Sequence, residues 1–402
     1  MSSAKTGPGR ELVLLPSLRA RVGASGGFVL TQKYLNGARA YAQTWPGPVT
    51  SLVRLSNDVT TDMDHVEARS GEWDTGIEPR PAARKQLAAR LRGAGAVLAH
   101  LSRIEAPLAD LCREIRVPLV YGTEYSLATE EQIIDAETEN ALLRWRRKLW
   151  VRRTEKLRID ALSRAAGVQC SGTPTYEVYR HHNPRALLFF DNRVEVDAVV
   201  GAAELESKLD RLQSRRPLRL VFGGRLVAMK GVLDLVGLAE RLVARGLDFE
   251  LEVFGRGPLE DELQRAAAAK RLGSRLRLRG ALDFETGWIP MLKREQDLFV
   301  CCHPQGDPSS TYPEVMSCGV PIAGYDNEAF RGIVERSGSG WLVPIHDIDA
   351  LAAKIVQLDG DRPAIARAAR LARGFALEHA FQPTYARRVQ HLVECAAAAA
   401  RA

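Results

Sequence analysis

The sequence predicts an α/β protein made of two doubly wound domains in tandem, and three observations carry that prediction. The chain has 402 residues, too many for one ordinary domain and enough for two of roughly 150–200. Short β-rich runs alternate with longer helical patterns, as crossover helices between parallel strands require. That rhythm fills the first half, breaks in a charged stretch and then resumes.

In the first half strands read at "ELVLL", "SLVRL", "GAVLAHL", "VPLVYG", "GVQC" and "ALLFF". In the second they read at "LRLVFGG", "FELEVFG", "RLRLRG", "DLFVCC" and "VPIAGY". Between them "DNRVEVDAVVGAAELESKLDRLQSRRPLRL" is charged and has no strand signal, which puts the boundary near residue 205. After Gly360 the pattern is almost wholly helical.

Composition narrows the class. With 46% hydrophobic and 26% charged residues the chain reads as soluble and globular, and no apolar run approaches the roughly 20 residues of a membrane span. The start, "MSSAKTGPGRELVLLPSL", has no signal-peptide apolar region, so a cytoplasmic location is expected. Six cysteines without C-x-x-C spacing argue against disulfides and zinc. The net charge of +7 permits an anionic substrate or membrane surface without deciding between them, and no nucleic-acid partner is expected.

A doubly wound sheet binds ligands beyond the carboxyl ends of its strands, so the residues just after each strand matter most. The first such loop of the second domain is "GGRLVAMKG", where Arg225 and Lys230 flank an apolar step. A guanidinium fork and a mobile ammonium after one strand suit a diphosphate, the alternative being a solvated pair at a helix start. "FGRGPLEDEL" adds Gly255 and Gly257 after the next strand. Further on, "HPQGDPSSTYPEVMSCGVPIAGYDNEAF" stops a buried run in a crowded polar turn and opens a helix with Glu314. Such a turn aims N–H groups at an anion, and a carboxylate beside it accepts two vicinal hydroxyls. Otherwise Glu314 is a first-turn acid complementing the helix dipole.

In order, "GGRLVAMKG", "VFGRGPLEDEL", "LRLRGAL", "DLFVCCHP", "YPEVMSCGVPIAG" and "GWLVP" resemble the C-terminal domain of retaining GT-B glycosyltransferases of the family-4 type, the glycosyl transferases group 1. The resemblance covers nearly the whole second domain. It implies two tandem Rossmann-like domains with a cleft between them, assigned to 1–205 for the acceptor and 206–375 for the nucleotide-sugar, with 376–402 a helix crossing back. It implies that Arg225 and Lys230 clamp the donor diphosphate and that Glu314 holds the ribose hydroxyls. Gly224, Gly255, Asp307, Ser309, Ser310 and Thr311 join them as donor-binding positions. One departure stands out: the acid usual eight positions before the ribose-binding Glu is here Gly306, and Asp307 takes its role only if the loop shifts by one residue.

The first domain resembles the family less strongly. "SGGFVLTQKYLNGARAYA" places Gly26 and Gly27 between the first strand and first helix, in a turn that lets backbone approach a phosphate or acceptor. His100 follows "GAVLA", where related enzymes carry a histidine near the transferred sugar; the alternative is a packed or solvated histidine. Glu124 sits similarly in "VYGTEYS". The D-x-D triplets Asp62 to Asp64 and Asp347 to Asp349 are rejected as metal sites, Asp347 reading as a helix N-cap and Asp62 as part of a polar loop near His65. No metal or cofactor is expected.

"ALLRWRRKLWVRRTEKLRIDALSR" sets Trp145 and Trp150 among seven cations from Arg144 to Lys156. Aromatic anchors beside cations over the Arg144 to Arg158 helix suit an anionic membrane or a phosphate-bearing acceptor, against a solvated helix whose tryptophans pack inward.

The resemblance therefore implies transfer of a glycosyl group, with retention and without metal, from a UDP- or GDP-sugar to a glycan, lipid-linked or small-molecule acceptor. Two rivals share the architecture, a nucleotide-sugar 2-epimerase and a non-catalytic sugar-nucleotide-binding protein. A dehydrogenase is disfavoured because no G-x-G-x-x-G follows either domain's first strand.

Overall fold

The computed structural model describes residues 9–56, 64–69, 72–214 and 216–401. Asp62, first residue of one D-x-D triplet, lies outside them. The first sheet has ten strands: β1 (Leu12–Leu15), β2 (Arg19–Val22), β3 (Phe28–Thr31), β4 (Val49–Leu55), β5 (His65–Ala68), β6 (Gly76–Pro79), β7 (Ala96–His100), β8 (Leu119–Thr123), β9 (Gly167–Ser171) and β10 (Ala186–Phe189). The second has six: β11 (Leu218–Gly223), β12 (Phe249–Phe254), β13 (Leu276–Gly280), β14 (Leu298–Cys301), β15 (Ile322–Tyr325) and β16 (Trp341–Val343).

The second sheet is parallel throughout, in the order β13-β12-β11-β14-β15-β16. The parallel part of the first sheet repeats that order as β6-β4-β1-β7-β8-β9-β10. Each chain half starts mid-sheet, winds to one edge, returns to the centre and winds to the other, the Rossmann order. Every expected strand forms, because its apolar run can be buried on both faces; all four residues of β1 and of β14 are buried.

Five strands that the pattern does not announce also form. They are β2, β3, β5, β6 and β16, each of three or four residues. Three of the four β2 residues are exposed and none of β6 is buried, so neither offers an apolar run to read. Beyond β4 the sheet continues with β2, paired to β4 in parallel, and then with β3 and β5, each antiparallel to its predecessor.

Packing sets the domain limits. Phe190, Val194, Leu205, Leu209 and Leu212 already belong to the second core, which continues to Ala380. The second core therefore begins before residue 205, the boundary read from the charged stretch, and runs past 375, the limit that the resemblance implied. The last helix, Phe381–Arg401, returns to the first sheet, where Val389, Leu392 and Cys395 pack with Leu12, Leu14, Ala96 and Val120. The two crossings touch: Phe381 N donates to Val194 O and Val196 N donates to Gln382 Oε1, both at 2.9 Å.

Helix Ala141–Ser163 begins at Asn140, whose side chain accepts from Leu143 N at 2.9 Å. Its inward stripe is taken by Val151, Thr154, Glu155, Arg158, Ala161 and Leu162. That leaves the tryptophans outside, Trp145 61% and Trp150 55% exposed, so the reading in which they pack inward is excluded.

Candidate active site

In the second sheet the strand order reverses between β11 and β14, and the crevice at their carboxyl ends is where such a sheet receives a ligand. Two loops meet there, one from Gly224 and one from Cys302. Glycine is required for the approach. A Cβ on Gly255 would lie 1.8 Å from the Gly224 carbonyl oxygen, and one on Gly231 1.9 Å from that of Cys302. Gly231 also holds a left-handed φ of 60°, closing the turn Ala228–Lys230 so that Lys230 faces the second loop.

Lys230 is only 6% exposed. Its Nζ donates to the buried Asp307 carboxylate and lies 3.5 Å from Ser309 Oγ. Arg225, by contrast, is exposed, so the two cations of the loop are not a solvated pair. A buried ammonium needs a counter-charge, and Asp307 supplies it.

The polar turn is more fully bonded than its sequence suggests. Gly306 N donates to Gln132 Oε1 at 2.9 Å, Asp307 N to Gln305 O at 2.9 Å and Ser309 N to Asp307 O at 2.8 Å. Those three N–H groups, expected free for an anion, are committed. Ser310 caps helix Thr311–Ser317 by position without a side-chain bond, and both Ser310 and Thr311 stay half-buried at the crevice. Beneath the turn, buried His303 shares a hydrogen bond with the Tyr312 hydroxyl through Nδ1 at 3.1 Å, and Asn327 Nδ2 donates to His303 O at 3.1 Å.

Glu314, 2% exposed, faces a partner that the sequence did not announce. Arg193 donates to it from Nε at 2.7 Å and from Nη2 at 3.3 Å, while its guanidinium carbon lies 3.8 Å from the centre of the Phe284 ring. The fork leaves lone pairs on both carboxylate oxygens, room for two hydroxyls. Helix Thr311–Ser317 is anchored from behind by Lys208, whose Nζ donates to Cys318 O at 3.2 Å and Leu292 O at 2.9 Å. Burial pushes that ammonium's pKa down to about 8.

The first domain supplies the opposite wall from its own point of order reversal, between β1 and β7. His100 ends β7; burial, then Arg158 nearby, lowers its pKa and favours neutral imidazole. Glu124 follows β8 directly and its tip reaches solvent. The cleft walls still exclude much of its water, which raises its pKa, and Asp307 and Asp191 add to the rise against Lys33 and Arg225. Lys33 pairs with Asp191 at 2.6 Å, which raises the lysine's pKa, with Glu314 adding to the pull.

Gly26 and Gly27 are not at this wall's strand-to-helix turn. They sit in the hairpin between β2 and β3, where Glu67 Oε1 accepts from Ser25 N at 3.0 Å and Gly27 N at 3.1 Å, and Gly26 N donates to Gly23 O. Their N–H groups are occupied, which corrects the expectation that this turn meets a phosphate. Gly306, at the position of the missing acid, is packed between domains: its Cβ would lie 3.1 Å from Glu328 Oε2 and 3.2 Å from Thr129 Oγ1. An acid side chain there would be crowded and face a like charge.

Of the triplets, Asp347 accepts from Ala350 N at 2.8 Å as an N-cap and Asp349 pairs with Arg241 at 2.9 Å. Among the described residues no three His, Cys, Asp or Glu side chains gather as a metal would need. All six cysteines are free and buried.

Residues 217–361 match the family model described as Glycosyl transferases group 1. Over 128 residues the chain is 34% identical to a phosphatidyl-myo-inositol mannosyltransferase of Mycolicibacterium smegmatis, covering 32% of each protein. The match therefore spans about a third of that relative's length. An alpha-D-kanosaminyltransferase of Streptomyces kanamyceticus is 23% identical over 75% of this chain and 78% of its own. Alr3699/HepE of Anabaena, solved in complex with UDP, superimposes with a TM-score of 0.67 at 13% identity, covering 96% of this chain and 99% of that one. The molecule is a GT-B fold whose second domain matches the group 1 glycosyltransferases.

Proposed function

We propose that the protein is a retaining, metal-independent glycosyltransferase that moves a sugar from a UDP- or GDP-sugar to an acceptor hydroxyl. The observation that carries this reading is the meeting of Arg225, Lys230 and Glu314 around one crevice at the order reversal of the matched domain. The diphosphate lies against Arg225 and Lys230, and the ribose hydroxyls take the lone pairs of Glu314 that Arg193 leaves. The acceptor, a glycan, lipid-linked or small molecule, enters from the His100 and Glu124 wall.

In the reaction the bond from the anomeric carbon to the diphosphate oxygen breaks and the acceptor oxygen bonds to the same face. The acceptor proton passes to the departing phosphate oxygen. Arg225 and Lys230 stabilise the charge gathering on that phosphate; removing one such donor costs on the order of 10²–10³ in rate. Lys230 must then exchange Asp307 for phosphate as the donor binds. The chemistry of the names above supports transfer: the mannosyltransferase and kanosaminyltransferase relatives are transferases by name, and the Anabaena protein is solved with UDP.

The test is a thermal-shift screen against UDP, GDP and other nucleoside diphosphates. It is followed by NMR of the product's anomeric centre and release of nucleotide with and without acceptor. A ligand at a hundred times its Kd adds about 2.7 kcal/mol. No shift with any nucleoside diphosphate, or a product of inverted configuration, would refute the reading.

A further inference from the structure

Helix Ala141–Ser163 has two unlike sides. Toward helix Leu127–Glu137, Lys148 pairs with Asp135 and Arg152 with Glu131, each at 2.5 Å, and Arg158 pairs with Glu130. On the other side Leu142, Arg146, Trp150, Arg153 and Leu157 follow at intervals of three or four and so share a face. Leu142 and Leu157 are 66% and 52% exposed. Arg146, Arg153 and the flanking Lys156 are exposed and make no ion pair or hydrogen bond among the described residues.

The loop after β7 continues the face. Ile104 is exposed, and the Arg103 guanidinium carbon lies 5.7 Å from the centre of the Trp150 ring. Contiguous large apolar side chains in solvent mark an interaction surface. Unpaired cations interleaved with indoles and leucines match one chemistry above others: phosphate headgroups over acyl chains, where cations meet phosphate, indoles lie at headgroup depth and leucines reach below. No helix among the described residues is long and apolar enough to cross a membrane, so attachment lies in the surface plane.

We propose that this face docks flat on an anionic bilayer. Arg103 and Ile104 follow His100 closely in the chain, so docking sets the first-domain wall of the cleft beside the headgroups. The proposal does not depend on transferase activity.

Vesicle sedimentation of the full chain tests it, with phosphatidylglycerol-containing and pure phosphatidylcholine vesicles at about 50 and 500 mM salt. The expected result is binding to anionic vesicles at low salt only. Each surface cation contributes roughly fivefold, so R146Q/R153Q/K156Q should lose on the order of 100-fold. W150A should weaken binding and reduce the blue shift of tryptophan emission. Circular dichroism should match wild type for both variants, and thermal melting should change little, since the substituted side chains are exposed. Equal binding to neutral and anionic vesicles, no binding to either, or variants that bind like wild type would overturn the proposal. So would capture by soluble polyphosphate that vesicles fail to compete.

Discussion

The two halves of the molecule share one strand order and treat the point where it reverses differently. In the second domain every buried charge there is already matched, Lys230 by Asp307 and Glu314 by Arg193, and glycines press two loops together. In the first domain β2 and β3 intervene between β1 and its helix, and Glu124 and the half-buried His100 keep contact with solvent. The difference teaches where specificity can vary: a bonded network resists change, because removing one member strands its partner, while side chains facing water can be exchanged singly.

The largest expected effects break the contrast at its strongest point. Lys230→Ala should reduce transfer on the order of 10²–10³ and, by leaving Asp307 buried and unpaired, lower stability by roughly 3–5 kcal/mol. Arg225→Ala should lose rate on the same scale but stay within about 0.5 kcal/mol of wild-type stability, as an exposed substitution does. Steady-state rates and urea melts of both variants decide it; equal melts would erase the distinction between buried and open clamp cations.

Glu314→Gln comes next. It keeps shape but loses the charged acceptor, and nucleoside diphosphate affinity by calorimetry should fall by roughly 1.5–3 kcal/mol. A smaller effect of opposite sign is expected for Asp307→Asn. From the resemblance, Asp307 takes the missing acid's place near the sugar only if the loop shifts, and otherwise matters not at all, so nucleotide affinity was expected to stay unchanged. Its contact with Lys230 makes it a rival of the phosphate, so its neutralisation should tighten nucleoside diphosphate binding by about 1 kcal/mol. Weaker binding would show that Asp307 helps hold the donor instead. Last, EDTA should leave the rate unaltered, and activity lost to EDTA and restored by Mg²⁺ or Mn²⁺ would show that the clamp does not act alone.

What the sequence made legible were features with few physical solutions. Continuous apolar runs have to be buried strands, and Gly255 and Gly257 sit where any side chain would strike a carbonyl. Pairings made by long side chains from distant segments left no local trace: Arg193 belongs to a charged linker, yet it meets Glu314 across 121 positions. Strands β2 and β5 hid for a related reason, their ladders lying at an exposed margin where hydrophobicity need not alternate. The hairpin at Gly26 and Gly27 was mistaken for a strand-to-helix turn because glycine pairs mark both. Trp145 and Trp150 show the limit of composition: only the inward stripe, already full, decides which way they point.

The two chain crossings between the domains are hydrogen-bonded to each other near Val194 and Phe381. Side by side they form a single pin. Away from it the domains also touch, Thr173 Oγ1 donating to Glu328 O at 3.0 Å and Arg336 pairing with Glu177 at 3.3 Å, contacts that a swing about the pin has to break. Gly306 N on Gln132 is a third such contact, whereas Arg193 and Asp191 lie within three residues of Val194 in the chain. Entry of a bulky donor would then part the far lips of the cleft while the ribose end scarcely moves, a swing that small-angle scattering with and without UDP can follow.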